Sequence, residues 1–405
     1  MKKLELHWQI LIALVLAILY GFVLTDYVYL VGWMGVIFLR ALKMIIIPLI
    51  FSSIITGVAS IGNAENLGRL GAKTFVYYLT TTVLAILTGL VFVNIIKPGV
   101  GAELGLSKML DELPATQNSF SDTLINIIPT NLFEVMTQGK ILPIIFFAIL
   151  FGFFITQVNE KPKTMLIDFF NAVFDVIMKM TMFIIKFTPF GIFGIVAKMV
   201  AEQSDSILSV GQGLGMYLIT VTLALAVHFG VTLPLILKYF ARVKPITHLK
   251  AMRTPLLTAF STSSSSATLP LTLEAVEHKS GVSNEITSFV LPLGATVNMD
   301  GTALYEAVVV MFIAQAYGIE LTIMQQVIVV ITAVLASIGA AGIPMAGLVM
   351  LSVILSAVGL PLEGIGLVLA VDRIVDMMRT STNVWSDSCG AVVVAKSEGE
   401  KLKVE

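Results

Sequence analysis

Eight stretches of this chain are apolar over a length that can cross a bilayer: 8–30, 32–60, 74–96, 141–158, 164–199, 207–240, 281–316 and 364–395. A span needs about 20 mostly apolar residues, so a chain carrying this many is unsuited to water. Two further apolar stretches, 254–273 and 325–356, are broken in the middle by small and turn-forming residues. Charged residues make up 13% of the chain, about half the ~25% of an ordinary soluble domain. A net charge of −1 offers no basic surplus to a nucleic acid. The single cysteine, Cys389, excludes an intrachain disulfide and a cysteine-built metal site. The four histidines, His7, His228, His248 and His278, are scattered and form no metal-binding pair.

The start, Met1-Lys2-Lys3 followed by an apolar run, mimics a secretion signal, but no small-residue cleavage pattern follows, and it reads as a first span. Lysine and arginine in the loops set orientation. Lys2, Lys3, Arg69, Lys73, Lys161, Lys163, Lys238, Arg242, Lys244, Lys250, Arg253, Lys279, Lys396, Lys401 and Lys403 fall on one side. Only Lys97, Lys108 and Lys140 fall on the other, among many acids. The bias is consistent if 254–273 enters and leaves on the basic side and 325–356 on the acidic side. The expectation is an all-α polytopic membrane protein with eight transmembrane helices and two re-entrant helical hairpins as inverted repeats, both termini being cytoplasmic.

The first hairpin tip is a serine-rich run, Phe260 to Pro270; the second, Ser337 to Gly347, is glycine-rich. Irregular backbone at membrane depth survives only where protein buries it or it lines a wet cavity. Interrupted segments in matching positions of two halves point to a transporter binding site. Two merely kinked helices are the plainer reading, and the matched pair with its charge bias disfavours it. Helix amino termini at such tips present free N–H groups and a positive dipole end to an anion. A serine nucleophile would need a general base within reach, and the adjacent span holds no histidine.

In the last span, Asp372, Asp376, Arg379, Asn383 and Asp387 are spaced 4, 3, 4 and 4, which puts them on one helical stripe. Charges facing lipid cost ~2.5–3.5 kcal/mol each at the bilayer centre, so the stripe must face inward. Carboxylates, a guanidinium and an amide together suit a zwitterionic acidic ligand and a cation better than a purely structural ion pair. The preceding span carries Asn298-Met299-Asp300-Gly301-Thr302, poor helix formers in mid-membrane. An unwound turn there frees carbonyl oxygens, which with carboxylates are ligands for hard cations. Glu306, one turn on, is either a satisfied buried carboxyl or a group that loads and releases a proton.

These motifs resemble the dicarboxylate/amino-acid:cation symporter family, which holds the excitatory amino-acid transporters and their prokaryotic homologues. The resemblance runs over essentially the whole chain. It also covers Asn126-Ile127-Ile128-Pro129-Thr130-Asn131 before Leu142-Pro143-Ile144-Ile145-Phe146-Phe147. It implies sodium-coupled uptake of glutamate or aspartate through the cell (inner) membrane by a homotrimer working as an elevator, with no enzyme activity. It divides the chain into scaffold helices in 1–71 and 99–204, a transport domain in 72–98 and 205–396, and a cytoplasmic tail in 397–405. It assigns substrate contacts to Ser263, Ser264, Ser265, Thr302, Ile343, Gly347, Asp376, Arg379, Thr380 and Asn383. Arg379 would take the side-chain carboxylate and Asp376 the α-amino group. The coupled ions would be sodium, with a proton and potassium as further candidates. One implied sodium site is Gly294, Asn298, Asn383 and Asp387; a second is Thr296, Met299, Ser337, Ile338 and Ala340; a third is Tyr78, Thr81, Thr82, Asn298 and Asp300.

The chain departs from the family pattern in two places. Ser263 stands where archaeal members have an arginine, and Met377 where animal members have a second arginine; here the extra one is Arg373, a turn earlier. Glu306 matches the proton-carrying glutamate of the animal members. Two other functions compete. A neutral amino-acid exchanger would lack Arg379, and a C4-dicarboxylate:cation symporter has no use for Asp376, which would repel a second carboxylate.

Overall fold

The computed structural model describes residues 6–62, 68–101, 125, 128–202, 207–339 and 346–405. Among them every regular element is helical. The first half supplies α1 (Leu6–Val23), α2 (Tyr29–Gly62), α3 (Gly68–Ile96), α4 (Leu132–Thr137), α5 (Ile141–Ile155), α6 (Glu160–Ile185) and α7 (Thr188–Glu202). The axis turns by 52° between α6 and α7. Pro189 sits in the first turn of α7, where its missing N–H costs no helix bond.

α8 (Ile207–Val227) runs on through π turns at His228–Thr232 and Leu237–Ala241, with α9 (Leu233–Ile236) between them. After α10 (Pro245–Ala251), the first broken stretch folds as α11 (Arg253–Thr262) and α12 (Ser265–Glu274). The 281–316 stretch is α13 (Asn284–Val297) and α14 (Asp300–Ala316). The second broken stretch gives α15 (Ile323–Gly339) and α16 (Ala346–Ala357), and its tip at 340–345 lies outside the described residues. α17 (Ile365–Ser397) completes the set.

By length and apolarity, four helical stretches among the described residues can cross a membrane: Tyr29–Ala59, Arg69–Ile96, Gly211–Ala241 and Asn284–Ala316. The bent pair α6 and α7 makes a fifth if it counts as one span. α17 is long enough but carries the charged stripe, and α1 and α5 are apolar but shorter. Outward faces remain apolar, with Trp33, Ile37, Val91, Phe154 and Phe183 all more than half exposed. Such a surface suits lipid rather than water.

α1, α2, α5, α6 and α7 pack on one another. α3, α8 and the helices from α11 to α17 form a second group built around α14 and α17. Every residue of α14 except Gln315 is buried. The chain after α17 folds back: Lys244 N donates to Val404 O at 3.0 Å, Lys403 N donates to Ser280 O at 3.0 Å, and Leu402 and Val404 are buried. Glu398 pairs there with Lys73 at 2.7 Å and with Arg69, tying the end of α17 to the start of α3. Those bonds hold the Glu398 carboxyl below its usual range, the Lys73 bond most.

Candidate functional site

Ser263 ends α11 in the left-handed region (φ 52°, ψ 37°). Ser264, extended, opens α12, and its hydroxyl accepts from Ala267 N at 3.2 Å. A serine run suits this reversal, because its hydroxyls satisfy the amino-terminal N–H groups of α12 locally. Ser263, Ser264 and Ser265 are all buried, and Ser263 Oγ has no hydrogen-bond partner among the described residues. Hairpin 1 lies against α17, where Ser381 Oγ donates to Leu256 O at 3.3 Å.

On α17 the two charges expected to receive the substrate bind each other. Arg379 Nε donates to Asp376 Oδ1 at 2.9 Å, and Nη2 lies 2.8 Å from the same oxygen. Asp372 Oδ1 lies 3.5 Å from Nη1 and accepts from Tyr305 OH at 2.7 Å. The guanidinium sits over the Tyr305 ring, 4.4 Å from its centroid. Such stacking and forked donation are what arginine provides and lysine does not. Among the described residues, Arg379 Nη1 and Asp376 Oδ2 have no hydrogen-bond partner. These unmatched atoms are a donor and an acceptor in a buried site, suited to a ligand carrying both charges. Gly347, on α16, closes against the same group: a Cβ there would stand 2.7 Å from Arg379 Nη1. Arg373 lies 3.7 Å from Asp376 Oδ2 and is partly exposed.

The helix break between α13 and α14 falls on Asn298 and Met299. Gly301 is required there, because a Cβ would collide with the carbonyl oxygen of Arg379. Asn383 holds the first turn of α14: its Oδ1 accepts from Gly301 N at 2.7 Å and Thr302 N at 3.4 Å, and its Nδ2 donates to Thr302 Oγ1 at 3.1 Å. Thr380, one turn along the stripe, is buried.

Below this lies a buried oxygen cluster. Asn298 Nδ2 donates to Asp387 Oδ1 at 2.8 Å and to Ser386 Oγ at 3.1 Å. Gly294 is pressed against it, since a Cβ would stand 2.6 Å from both Asp387 Oδ1 and Tyr78 OH. Asp300 Oδ1 accepts from Thr82 Oγ1 at 2.8 Å and lies 3.3 Å from Thr81 Oγ1. Thr81 Oγ1 is 3.5 Å from Asn298 Oδ1. Two sequence-derived groups thus meet, Gly294, Asn298 and Asp387, and Tyr78, Thr81, Thr82, Asn298 and Asp300, while Asn383, expected with the first, turns its amide to Gly301 and Thr302. Among the described residues no three His, Cys, Asp or Glu side chains cluster as metal ligands. Carboxylate, amide and hydroxyl oxygens are the donor set of a hard cation.

The remaining group is expected to bind largely through backbone carbonyls. Thr296 is exposed and its hydroxyl donates to Leu293 O. Ser337 is buried and its hydroxyl donates to Val334 O within α15. Met299 is buried at the break, Ile338 belongs to α15, and Ala340 and Ile343 lie outside the described residues. Glu306 is fully buried in α14, and neither carboxyl oxygen has a hydrogen-bond partner among the described residues.

Three participants escaped the sequence reading. Asp300 Oδ2 accepts from Ser386 Oγ at 2.6 Å and lies 3.2 Å from His228 Nε2. Tyr305 joins the Arg379 cluster from α14. His228 carried a signal, as the only histidine in an apolar span without acid or base from 207 to 237. Ser386 carried none, being one residue off the charged stripe.

Comparison with known proteins bears on the family of the chain. The chain is 37% identical to the proton/sodium-glutamate symport protein of Geobacillus stearothermophilus, over 99% of this chain and 96% of that one. It is 35% identical to the proton/glutamate-aspartate symporter of Escherichia coli (strain K12), over 98% and 93%. It is 38% identical to excitatory amino acid transporter 3 of Mus musculus, over 98% and 87%. The profile of the sodium:dicarboxylate symporter family matches residues 6–397. A helical membrane protein with this burial of charge and this likeness along its whole length belongs to the sodium:dicarboxylate symporter family.

Proposed function

We propose that the chain is a secondary transporter that takes up acidic amino acids with sodium, glutamate and aspartate being the substrate class. The observation that carries this is the buried Asp376–Arg379 pair, in which one atom on each partner has no hydrogen-bond partner among the described residues. The substrate's side-chain carboxylate takes the guanidinium in two parallel bonds, and its ammonium takes Asp376. Ser264 and Ser265 at the start of α12, with Asn383, Thr302 and Thr380, receive the α-carboxylate. The names of the relatives support the same substrate class.

Sodium binds at Asp387 with Asn298, and at Asp300 with Thr81, Thr82 and Tyr78. Both sites use the break that ends α13 and starts α14. Asn383 ties that break to α17 one turn from Arg379, so an ion that orders Asn298 and Asp300 also orders the substrate site. The second hairpin, with Gly347 and Ile343, closes over the substrate and completes the remaining ion site, that of Ser337, Ile338, Ala340, Thr296 and Met299.

The topology belonging to this reading is eight spans and two re-entrant hairpins, with both termini in the cytoplasm of a cell whose inner membrane holds the protein. Segments 72–98 and 205–396 move as an elevator against scaffold helices in 1–71 and 99–204, and three copies associate through the scaffold. Glu306 carries the coupled proton. The test is uptake of labelled aspartate, glutamate and succinate into proteoliposomes under imposed sodium, proton and potassium gradients. Sodium-driven uptake of the two amino acids is expected. Succinate uptake in preference to both would replace this reading with a C4-dicarboxylate carrier.

A further inference from the structure

We infer that the link between α8 and hairpin 1 is a docking surface for anionic phospholipid headgroups. The inference rests on the topology proposed above, which puts this link at the cytoplasmic face. Between Asp205 and Glu274 the chain has no acidic residue, yet it carries Lys238, Arg242, Lys244, Lys250 and Arg253 within sixteen positions. All five are exposed. Elsewhere on this face some cations are matched by acids: Arg69 and Lys73 by Glu398, and Lys396 by Glu405. Here, among the described residues, Arg242, Lys250 and Arg253 have no ion-pair partner. Lys238 lies over the Tyr239 ring at 5.7 Å, and Lys244 Nζ donates to the main-chain oxygen of Glu405 at 2.7 Å.

The cations are interleaved with large apolar side chains turned outward. Phe240 is 77% exposed, and Tyr239 and Ile246 are each more than 60% exposed. A water-facing loop has no use for three such groups together. At a membrane interface, aromatic and aliphatic groups enter the headgroup region while Lys and Arg reach phosphates. The backbone prepares this placement. Arg242 adopts the left-handed conformation (φ 54°, ψ 34°), which ends the π turn at Ala241 and turns the chain into Lys244-Pro245 and α10. α10 and the first turn of α11 then set Lys250 and Arg253 three residues apart.

A basic stretch with no acid of its own is drawn to anionic lipid, each Lys or Arg near the surface adding about fivefold to binding. The link adjoins the foot of hairpin 1, so the lipid grips a part that the proposed elevator motion must carry.

The experiment compares the wild type with the triple variant Lys238→Gln, Lys250→Gln, Arg253→Gln, none of which belongs to the substrate or ion sites. Both are reconstituted in phosphatidylcholine vesicles containing spin-labelled phosphatidylglycerol or spin-labelled phosphatidylcholine. The readout is the immobilised fraction of each label at the protein surface. The wild type should hold phosphatidylglycerol in preference to phosphatidylcholine, and raised salt should weaken that preference. The triple variant should lose the salt-sensitive part, and Lys238→Arg, Lys250→Arg, Arg253→Lys should keep it. Unchanged selectivity in the glutamine variant, or none in the wild type, overturns the inference. Sodium-dependent aspartate uptake in pure phosphatidylcholine should be equal in wild type and glutamine variant, which establishes that the variant is folded. Failure of uptake in both would count against the transport reading while leaving the lipid measurement to stand or fall by itself.

Discussion

Asp376 and Arg379, three residues apart on α17, are joined by two contacts to one carboxylate oxygen, at 2.9 Å and 2.8 Å. The pair leaves Arg379 Nη1 and Asp376 Oδ2 without a hydrogen-bond partner among the described residues, so a ligand carrying both charges meets one atom of each. That arrangement favours a zwitterion with an extra carboxylate, because any lesser ligand leaves a buried charge unmatched.

Replacing Arg379 by cysteine should therefore abolish uptake of acidic amino acids and admit serine or alanine. Removing one partner of a buried pair costs ~3–5 kcal/mol, which is about a hundredfold or more in affinity. Binding of labelled aspartate to the purified variant checks this, and wild-type affinity would remove Arg379 from the substrate site.

Asp387→Asn should raise the sodium concentration for half-maximal binding while leaving the maximal substrate capacity intact. The side chain keeps its shape and its contact with Asn298, 2.8 Å away, but loses the anionic oxygen a cation needs. Sodium titration of aspartate binding decides it; an unchanged midpoint would make Asp387 structural.

Glu306→Gln should keep substrate exchange and lose net uptake driven by a pH gradient. Burying a carboxyl with neither oxygen hydrogen-bonded among the described residues favours a neutral carboxyl over a charged one. Glutamine imitates that neutral form but cannot discharge a proton on the empty return. Exchange and net uptake, measured in the same vesicles with and without internal potassium, separate the two. Full retention of the pH response by the variant would leave Glu306 as packing.

Gly301→Ala and Gly347→Ala should differ in kind. At Gly301 the new methyl meets the backbone carbonyl of Arg379, which cannot yield without moving α17, and overpacking of this sort costs about 1–3 kcal/mol of stability. At Gly347 it meets the end of the Arg379 side chain, which can swing, so affinity should fall more than stability. Thermal unfolding and substrate titration of both variants check the contrast.

Stability should fall as pH drops below about 6.5, in part through His248. Its ring is buried, stacks on Trp385 at 5.1 Å, and lies 2.9 Å from Ser280 Oγ and 3.2 Å from Ser388 Oγ. Burial pushes the imidazole down to about 3, so between about 3 and 6.5 the unfolded chain binds a proton that the folded one does not. Stability then rises with pH across that window, by up to ~1.4 kcal/mol per pH unit. His248→Gln should flatten the slope in detergent unfolding scans, and an unaltered slope would assign it to other groups.

Much of this architecture is legible along the chain, because each feature is a property of one helix. Apolar runs of spanning length need no partner to be recognised. The break at Asn298 and Met299 follows from poor helix formers at membrane depth. The spacing of Asp376, Arg379, Asn383 and Asp387 places them on one stripe through the helical repeat alone. What a stripe meets is another matter, since periodicity defines a face but not its neighbour. Only the packing of α17 against α14 turned Asn383 toward Gly301 and Thr302 and set Tyr305 beneath Arg379. Only the approach of α8 and α3 brought His228, Thr81 and Thr82 to Asp300, with Ser386 entering from the flank of the stripe. A buried carboxylate takes whichever donors the surrounding helices deliver, and those donors are scattered over 300 positions of sequence, from Thr81 to Ser386, with nothing local to connect them.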